Sequence, residues 1–151
     1  MKEGKSDKTK ASGHYEFVEH TADIAIKAYG SCIEEAFAVA AGAMFDIMTD
    51  GAVVEPLEKV EFETESVDIE GLLVGFLSDL IVLHEVQDYV LSDFEITFMG
   101  SNRMRAVCRG ETFDEKRHAH GLHIKGVSYH MMEIHDGGDR EPSFVQVLFD
   151  V

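Results

Sequence analysis

Two segments of the chain repeat apolar residues at steps of three and four, the spacing that gives an α-helix one buried stripe. The first covers residues 32–48, where Ser31 is the expected N-cap and Glu34 would complete a capping box. The second covers residues 70–85, where Asp68 is the expected N-cap. The pattern therefore predicts two amphipathic helices.

Elsewhere the apolar and polar residues alternate, which is typical of strands with one buried face. Turn residues separate several of these segments, most clearly at positions 100–102 and 136–139. The alternating segments are residues 24–28, 60–65, 90–98, 104–109, 123–135 and 144–149. About six mostly antiparallel strands packed against two amphipathic helices predict an α+β fold, a two-layer sandwich.

The charge of the chain is strongly negative. The 151 residues include 13 Lys and Arg against 29 Asp and Glu, a formal net charge of −16. Such a balance disfavours tight independent binding to RNA, because phosphate contacts need surplus basic residues. Residues 1–13 differ, since they hold four lysines and few apolar residues. We expect them to form a disordered basic tail before a single domain at residues 14–151.

Several protein classes are disfavoured by what the sequence lacks. No apolar run reaches the roughly 18 residues of a membrane span, and the polar N-terminus does not resemble a secretory signal. We therefore expect a cytoplasmic protein without membrane partners. Cys32 and Cys108 both lie in patterned segments and are interpreted as two buried, reduced thiols.

Basic residues of the domain concentrate in its second half. We interpret this basic strip as a solvated face in preference to a docking surface for RNA or an acidic partner. The strip consists of Arg103, Arg105, Arg109, Lys116, Arg117 and Lys125.

The usual catalytic signatures are absent: the sequence has no P-loop, no G-x-S-x-G, no C-x-x-C and no H-E-x-x-H. This favours a binding or helper protein over an enzyme. His118, His120 and His123 stand at short intervals and raise the possibility of a zinc site. No cysteine or acid completes a tight ligand spacing there, so we favour a solvated loop.

Carboxylates at both ends of the domain suggest a second kind of site. Asp150 and the α-carboxylate of Val151 repel each other unless a proton or cation intervenes, and Asp23 begins an early strand. If that strand neighbours the last one, Asp23 and Asp150 could share a hard cation such as Ca²⁺. The alternatives are a frayed terminus, an ordinary exposed Asp23, and His20 as a turn cap.

Blocks of the sequence together carry a family resemblance. The segment His20-Thr21-Ala22-Asp23-Ile24-Ala25-Ile26 resembles the HTADIGI signature of the archease family. Further blocks resemble the family in the same order, and the likeness covers residues 14–151. These blocks are residues 71–83, 110–118, 124–130 and 147–151. Ala25 and Gly126 depart from the family's more usual glycine and alanine.

The resemblance implies a small protein cofactor for RtcB-type RNA ligases of tRNA splicing and repair. Such a cofactor promotes guanylylation of the ligase and multiple turnover, catalyses no ligation, and meets tRNA only indirectly, through the ligase. The family's Ca²⁺ site carries over onto Asp23, Asp150 and Val151, although the carboxylate oxygens also suit Mn²⁺ or Mg²⁺. Lys125 matches a lysine associated with activation, and His20 is a further expected partner contact.

Two other functions remain open at this point. One is a chaperone-like adaptor for tRNA-modifying enzymes such as a tRNA methyltransferase, a role that is also implied by the resemblance. The other is a metal-dependent hydrolase built on the same carboxylates, with His20 as the base. Turnover of RNA by the protein alone would distinguish the hydrolase from either helper protein.

Overall fold

A computed structural model describes residues 13–18 and 23–151. His20 and nearly all of the expected basic tail lie outside these residues. The described elements, in chain order, are β1 (His14–Val18), β2 (Ile24–Gly30), α1 (Ile33–Thr49), β3 (Glu58–Glu65), α2 (Ile69–Gln87), β4 (Tyr89–Phe98), β5 (Arg103–Thr112), β6 (Gly126–His135) and β7 (Ser143–Asp150).

The strands of the described residues form two antiparallel sheets, which we call sheet A and sheet B. Sheet A has the order β1-β2-β7-β6, and sheet B has the order β3-β5-β4. Helix α1 contacts β2 and β7 of sheet A and β4 of sheet B, so it packs between them. The α+β prediction is confirmed. The alternation did not reveal β1, and β6 begins at Gly126 instead of His123.

The core explains why both helices form. Helix α1 is buried along nearly its whole length, with Phe37 and Met44 fully enclosed, and Phe76 of α2 stacks on Phe37 at 6.3 Å between ring centroids. Each large side chain removed from water contributes about 1.5–3 kcal/mol, so packing outweighs the low helix propensity of the glycines in α2. No helix in the described ranges is long and apolar enough to span a membrane.

The N-terminus of α1 differs from the prediction by one residue. Cys32, not Ser31, is the N-cap, and its side chain makes no capping hydrogen bond. The third helical residue is consequently Glu35, not Glu34, and its Oε1 accepts from the Ser31 main-chain N–H at 2.5 Å. Cys32 is exposed, contrary to its interpretation as a buried thiol. Its extended backbone places it outside the first turn.

The N-terminus of α2 agrees with the prediction. Asp68 is the N-cap, and its Oδ1 accepts from the Gly71 main-chain N–H at 2.8 Å. A Cβ at Gly71 would lie 1.8 Å from Ser66 Oγ and 2.8 Å from Ser66 Cβ, so a larger residue here would have to displace the Ser66 side chain. The sequence pattern located this helix because its cap is a local hydrogen bond.

The arginines of the basic strip that lie on β5 have acidic neighbours. Sheet B places β5 between β3 and β4, and both of these strands present carboxylates to its outer face. The pairs are Arg103 with Glu63 at 3.7 Å, Arg105 with Glu61, and Arg109 with Asp93 at 3.8 Å. Solvent-exposed pairs of this kind contribute little to stability. They do, however, give the arginines of β5 acidic partners within sheet B.

Candidate functional site

Strand pairing brings the two predicted aspartates together at one end of sheet A. Ile24 of β2 is paired with Phe149 of β7, and the strands run antiparallel. The pairing of the two strands ends there, and the same register carried one residue further would set Asp23, a bend residue just before β2, opposite Asp150. Opposed residues of neighbouring antiparallel strands lie on the same face, a few ångströms apart. We call Asp23, Asp150 and Val151 the carboxylate end.

Lys125 is attached to the carboxylate end through the backbone. Its main-chain N–H donates to the Asp150 main-chain carbonyl at 2.7 Å, immediately before β6 begins. The next residue, Gly126, is paired with Asp150, and a Cβ built on it would lie 3.8 Å from Asp150 Oδ2. The Lys125 side chain is exposed. The described contacts therefore join Lys125 to the carboxylate end through this main-chain hydrogen bond alone.

The donor chemistry of the carboxylate end fits a hard cation. Asp150 and Val151 are exposed, and the Asp23 and Asp150 side chains form no hydrogen bond or ion pair with other described residues. Within residues 13–18 and 23–151, no three His, Cys, Asp or Glu side chains gather to hold a metal. The side-chain donors that the described residues bring to this end are the carboxylates of Asp23 and Asp150. All of these donors are oxygens, the ligand type that Ca²⁺ prefers.

A second acidic group, in contrast, is closed by its own partners. Glu111, at the end of β5, is buried and accepts from Arg117 Nη1 at 2.5 Å and Nη2 at 2.8 Å. The main-chain N–H of Glu55 donates to the same carboxylate at 2.8 Å. The Arg117 hydrogen bonds, against the opposing effect of burial, lower the pKa of Glu111 to about 2. We call Glu111, Arg117 and His118 the closed cluster.

His118 belongs to this cluster, and its expected place in a solvated loop is wrong. The ring is buried, with Nε2 at 3.0 Å from Glu111 Oε2. The main-chain N–H of Asp114 donates to Nδ1 at 2.9 Å. Because Nδ1 accepts, the hydrogen of the neutral ring is on Nε2 and points at Glu111. The imidazole therefore ties the loop after β5 to that strand.

The same loop closes the C-terminus of α1. The N–H groups of Gly121 and Leu122 donate to the carbonyls of Met48 and Ile47, at 2.8 and 3.0 Å. A Cβ at Gly121 would lie 2.0 Å from the Ile47 carbonyl oxygen, so only glycine allows this approach. The cap fixes the loop segment that leads from the closed cluster to Lys125.

A shallow polar groove follows from this arrangement. His120 lies over Phe113 with 4.5 Å between ring centroids, and His123 Nε2 is 2.7 Å from Glu85 Oε2. Lys125 also lines the groove. Both histidines are exposed, and the described residues hold no group suited to zinc there. Of the three spaced histidines, only His118 was misassigned.

Comparison with known proteins establishes the family. The model of the Archease protein family (MTH1598/TM1083) matches residues 15–151. The chain belongs to the archease family. The match covers both ends of the domain, and so includes the two aspartates, Lys125 and the closed cluster. Membership supports a role as a protein cofactor or chaperone-like helper.

Individual archeases are similar over most of their length. The archease of Thermococcus gammatolerans is 40% identical over 123 residues, which is 80% of this chain and 87% of that protein. The archease of Danio rerio is 37% identical over 141 residues, 91% of this chain and 85% of its own length. The solution structure of Methanobacterium thermoautotrophicum protein 1598 superposes with a TM-score of 0.76 at 33% identity, covering 91% of this chain and 98% of that one.

Proposed function

We propose that this archease is a non-enzymatic activator of an RtcB-type RNA ligase, and that it promotes ligase guanylylation and multiple turnover in tRNA splicing or RNA repair. The observation that supports the proposal is the register of β2 and β7, which brings the segments that carry Asp23 and Asp150 to the same end of sheet A. Lys125 is bonded to the same end of the sheet. In this proposal tRNA is reached through the ligase, in the cytoplasm.

Carboxylate oxygens of Asp23, Asp150 and Val151 are the proposed ligands of a divalent ion, with Ca²⁺ the first choice and Mn²⁺ or Mg²⁺ possible. The ion would supply the positive charge that lets the carboxylates stay close together. The chain contributes the fixed register of β2 and β7 and an exposed position for Asp150. Lys125 and His20 are the proposed contacts with the ligase.

Two mechanisms are compatible with this site. In the structural one, bridging Asp23 and Asp150 pins the last strand so that a docking face is ordered. In the direct one, the carboxylate end approaches the ligase's nucleotide site and helps to place its metal or nucleotide. Asp23→Ala separates them: the first predicts that the melting temperature and activation fall together. The second predicts that activation alone falls.

The proposal is tested by assaying multiple-turnover ligation of RNA with 2′,3′-cyclic-phosphate and 5′-hydroxyl ends, with and without this protein. Wild type should raise ligase turnover, and Asp23→Ala should not. Glu65→Ala is a matched control, because Glu65 is an exposed acid on sheet B. Equal activation by wild type and Asp23→Ala would contradict the assigned site. No activation by wild type would contradict the function.

The role of Val151 has a separate test. Extending the chain beyond Val151 converts its carboxylate to an amide and crowds the proposed ion, whichever mechanism operates. Activation should fall with the added residue and be restored when that residue is removed. Full activation by the extended protein would exclude the main-chain carboxylate as a ligand.

Family membership also favours one other function, a chaperone-like adaptor for tRNA-modifying enzymes such as a tRNA methyltransferase. Affinity capture from the native cell distinguishes the two: an RNA ligase should dominate under our proposal, and a modifying enzyme under the alternative. A metal-dependent hydrolase is tested by incubating the protein alone with cyclic-phosphate RNA. Turnover without ligase would overturn the non-enzymatic role.

A further inference from the structure

An apolar groove lies on the other side of His120 from the polar groove. Its walls come from β1, the start of β2, the end of α1 and the loop before β6. Two of its large apolar side chains are open to solvent: Phe17 is 47% exposed and Leu122 is 51% exposed. Neighbouring exposed apolar side chains in one concave surface mark an interaction site more often than scattered ones do. The groove is lined by Tyr15, Phe17, Ile24, Asp46, Ile47, Asp50, His120, Gly121 and Leu122.

The walls of this apolar groove are held in place before any partner arrives. The Tyr15 hydroxyl donates to Asp46 Oδ2 at 3.1 Å, which ties β1 to α1. Phe17 packs edge-on against Tyr15, with ring centroids 5.8 Å apart. Opposite them, the Leu122 main-chain N–H is bonded to Ile47. A pre-formed surface loses little conformational entropy on binding, so even a small apolar groove can contribute useful affinity.

The charged residues around the apolar groove indicate which kind of ligand it would bind. Asp46 and Asp50, at the C-terminal end of α1, both line it. Beyond His120, the polar groove adds Glu85 and Asp88 at the end of α2. Lys125 and the imidazoles of His120 and His123 offset these acids only in part. The surface therefore suits a ligand with apolar and positively charged groups.

We infer that the apolar groove docks a segment of a protein partner that alternates basic and apolar side chains. The inference rests on the proposed function, because a ligase that binds RNA must present basic residues to phosphates. Apolar side chains would cover Phe17 and Leu122, and arginine or lysine would meet Asp50 and its acidic neighbours. A second copy of this chain is disfavoured, since each copy carries a net charge of −16. RNA is disfavoured by the same charge.

The first experiment needs no ligase. Isotope-labelled protein is titrated with a short synthetic peptide that alternates arginine and leucine, and amide shifts are followed by NMR. We expect shifts at Phe17, Asp50 and Leu122 that weaken with added salt. A matched peptide of glutamate and leucine, and an oligouridine, should leave those amides unmoved. Binding of either control there, or absence of peptide binding at the groove, overturns the inference.

The second experiment measures affinity for the RtcB-type ligase. Leu122→Asp keeps the main-chain N–H that caps α1 and should weaken binding about tenfold or more. Val67→Asp is the control, because Val67 is 94% exposed and lies before α2, away from the groove. Asp50→Asn is a second variant that removes only charge, since asparagine tolerates the left-handed backbone there.

These results distinguish a failure of the docking inference from a failure of the proposed function. Activation of the ligase by wild type, with Leu122→Asp and Asp50→Asn binding as tightly as wild type, overturns the docking inference and leaves the function standing. Absence of ligase binding by wild type overturns the function, and the peptide titration then decides the docking inference alone. A wild-type dimer that Leu122→Asp dissociates would assign the groove to a second copy and also overturn the inference.

Discussion

The closed cluster and the carboxylate end are two acidic groups in one small domain, and their partners differ. Glu111 is buried and has an arginine, a histidine and a main-chain N–H within hydrogen-bonding distance. Asp150 is exposed, and its side chain has no hydrogen bond or ion pair with the described residues. The first group is complete within the chain. For the second group, the described residues supply no such partner.

This difference indicates a structural role for the first group, and a binding role for the second is our proposal. A carboxylate whose partners are all supplied by the fold stabilises the fold and has no free oxygen to offer. A carboxylate pair held together by strand register, without a cation, is repulsive unless a ligand compensates it. Substitutions in the closed cluster should therefore affect stability, and substitutions at the carboxylate end should affect activation of the ligase.

The largest expected effect is on stability, from Glu111→Ala. The substitution leaves the buried His118 Nε2–H and the Glu55 N–H without an acceptor, so we expect a loss of about 2 kcal/mol in the free energy of unfolding. Urea denaturation followed by circular dichroism measures it. Glu61→Ala is the control, since its pair with Arg105 is on the surface and should matter much less. Equal losses of stability in the two variants would contradict the claim that the contacts of Glu111 stabilise the fold more than a surface ion pair does.

The second largest effect is expected for Asp150→Asn, and it concerns function rather than stability. Asparagine keeps the size of the side chain but removes its charge, so ion binding and ligase activation should fall about tenfold or more. The melting temperature without added ion should hardly change, because no described partner is lost. Parallel turnover and melting measurements check both parts. If Asp150→Asn lowers the melting temperature and still activates the ligase, the carboxylate end has a structural role, which contradicts the proposal.

The pH dependence of stability is a smaller, graded effect of the closed cluster. The pKa of Glu111 lies at about 2 in the folded chain, below its usual value of 4.5. Its stabilising contribution is therefore complete above about pH 4.5 and is lost as the pH falls towards about 2. Glu111→Gln should flatten the decline of the urea midpoint over that range. An unchanged slope in Glu111→Gln would assign the acid sensitivity to other groups.

The smallest effect comes from Gly126→Ala beside the carboxylate end. A Cβ there meets Asp150 Oδ2 at an ordinary contact distance of 3.8 Å. Alanine restricts the unfolded chain, so we expect a gain of about 0.5 kcal/mol with activation unchanged. Thermal unfolding and the turnover assay measure the two quantities. A marked loss of activation would show that the carboxylate needs the space that glycine leaves.

Local signals in the sequence predicted the helices well. The apolar period located α1 and α2, and Asp68 caps α2 as expected because a cap depends on residues three apart. Strand β1 was missed, since its five residues do not alternate cleanly between exposed and buried positions. Cys32 was wrongly expected to be buried, because a one-residue shift in the helix start decides which way that side chain points.

Contacts between distant segments were less predictable. Strands β2 and β7 are neighbours in sheet A, although they come from opposite ends of the domain sequence. From the sequence alone, this pairing was only the condition under which Asp23 and Asp150 could share a cation. The contact of His118 with Glu111 spans only seven residues, but it joins a loop to a strand and is therefore equally hidden from a periodic pattern. No periodic pattern marks such a pair. The family signature did include both segments, and it is the signal that could have suggested a structural role for His118.

The most direct test of the central claim is Ca²⁺ titration by calorimetry of the wild-type protein and of Asp23→Asn/Asp150→Asn. We predict one binding event per wild-type chain, loss of that event in the double variant, and retention in Glu63→Gln/Glu65→Gln, which removes the same charge from sheet B. Binding that survives in the Asp23→Asn/Asp150→Asn protein, or no binding of Ca²⁺, Mn²⁺ or Mg²⁺ to wild type, would contradict the claim that the carboxylate end is a cation site.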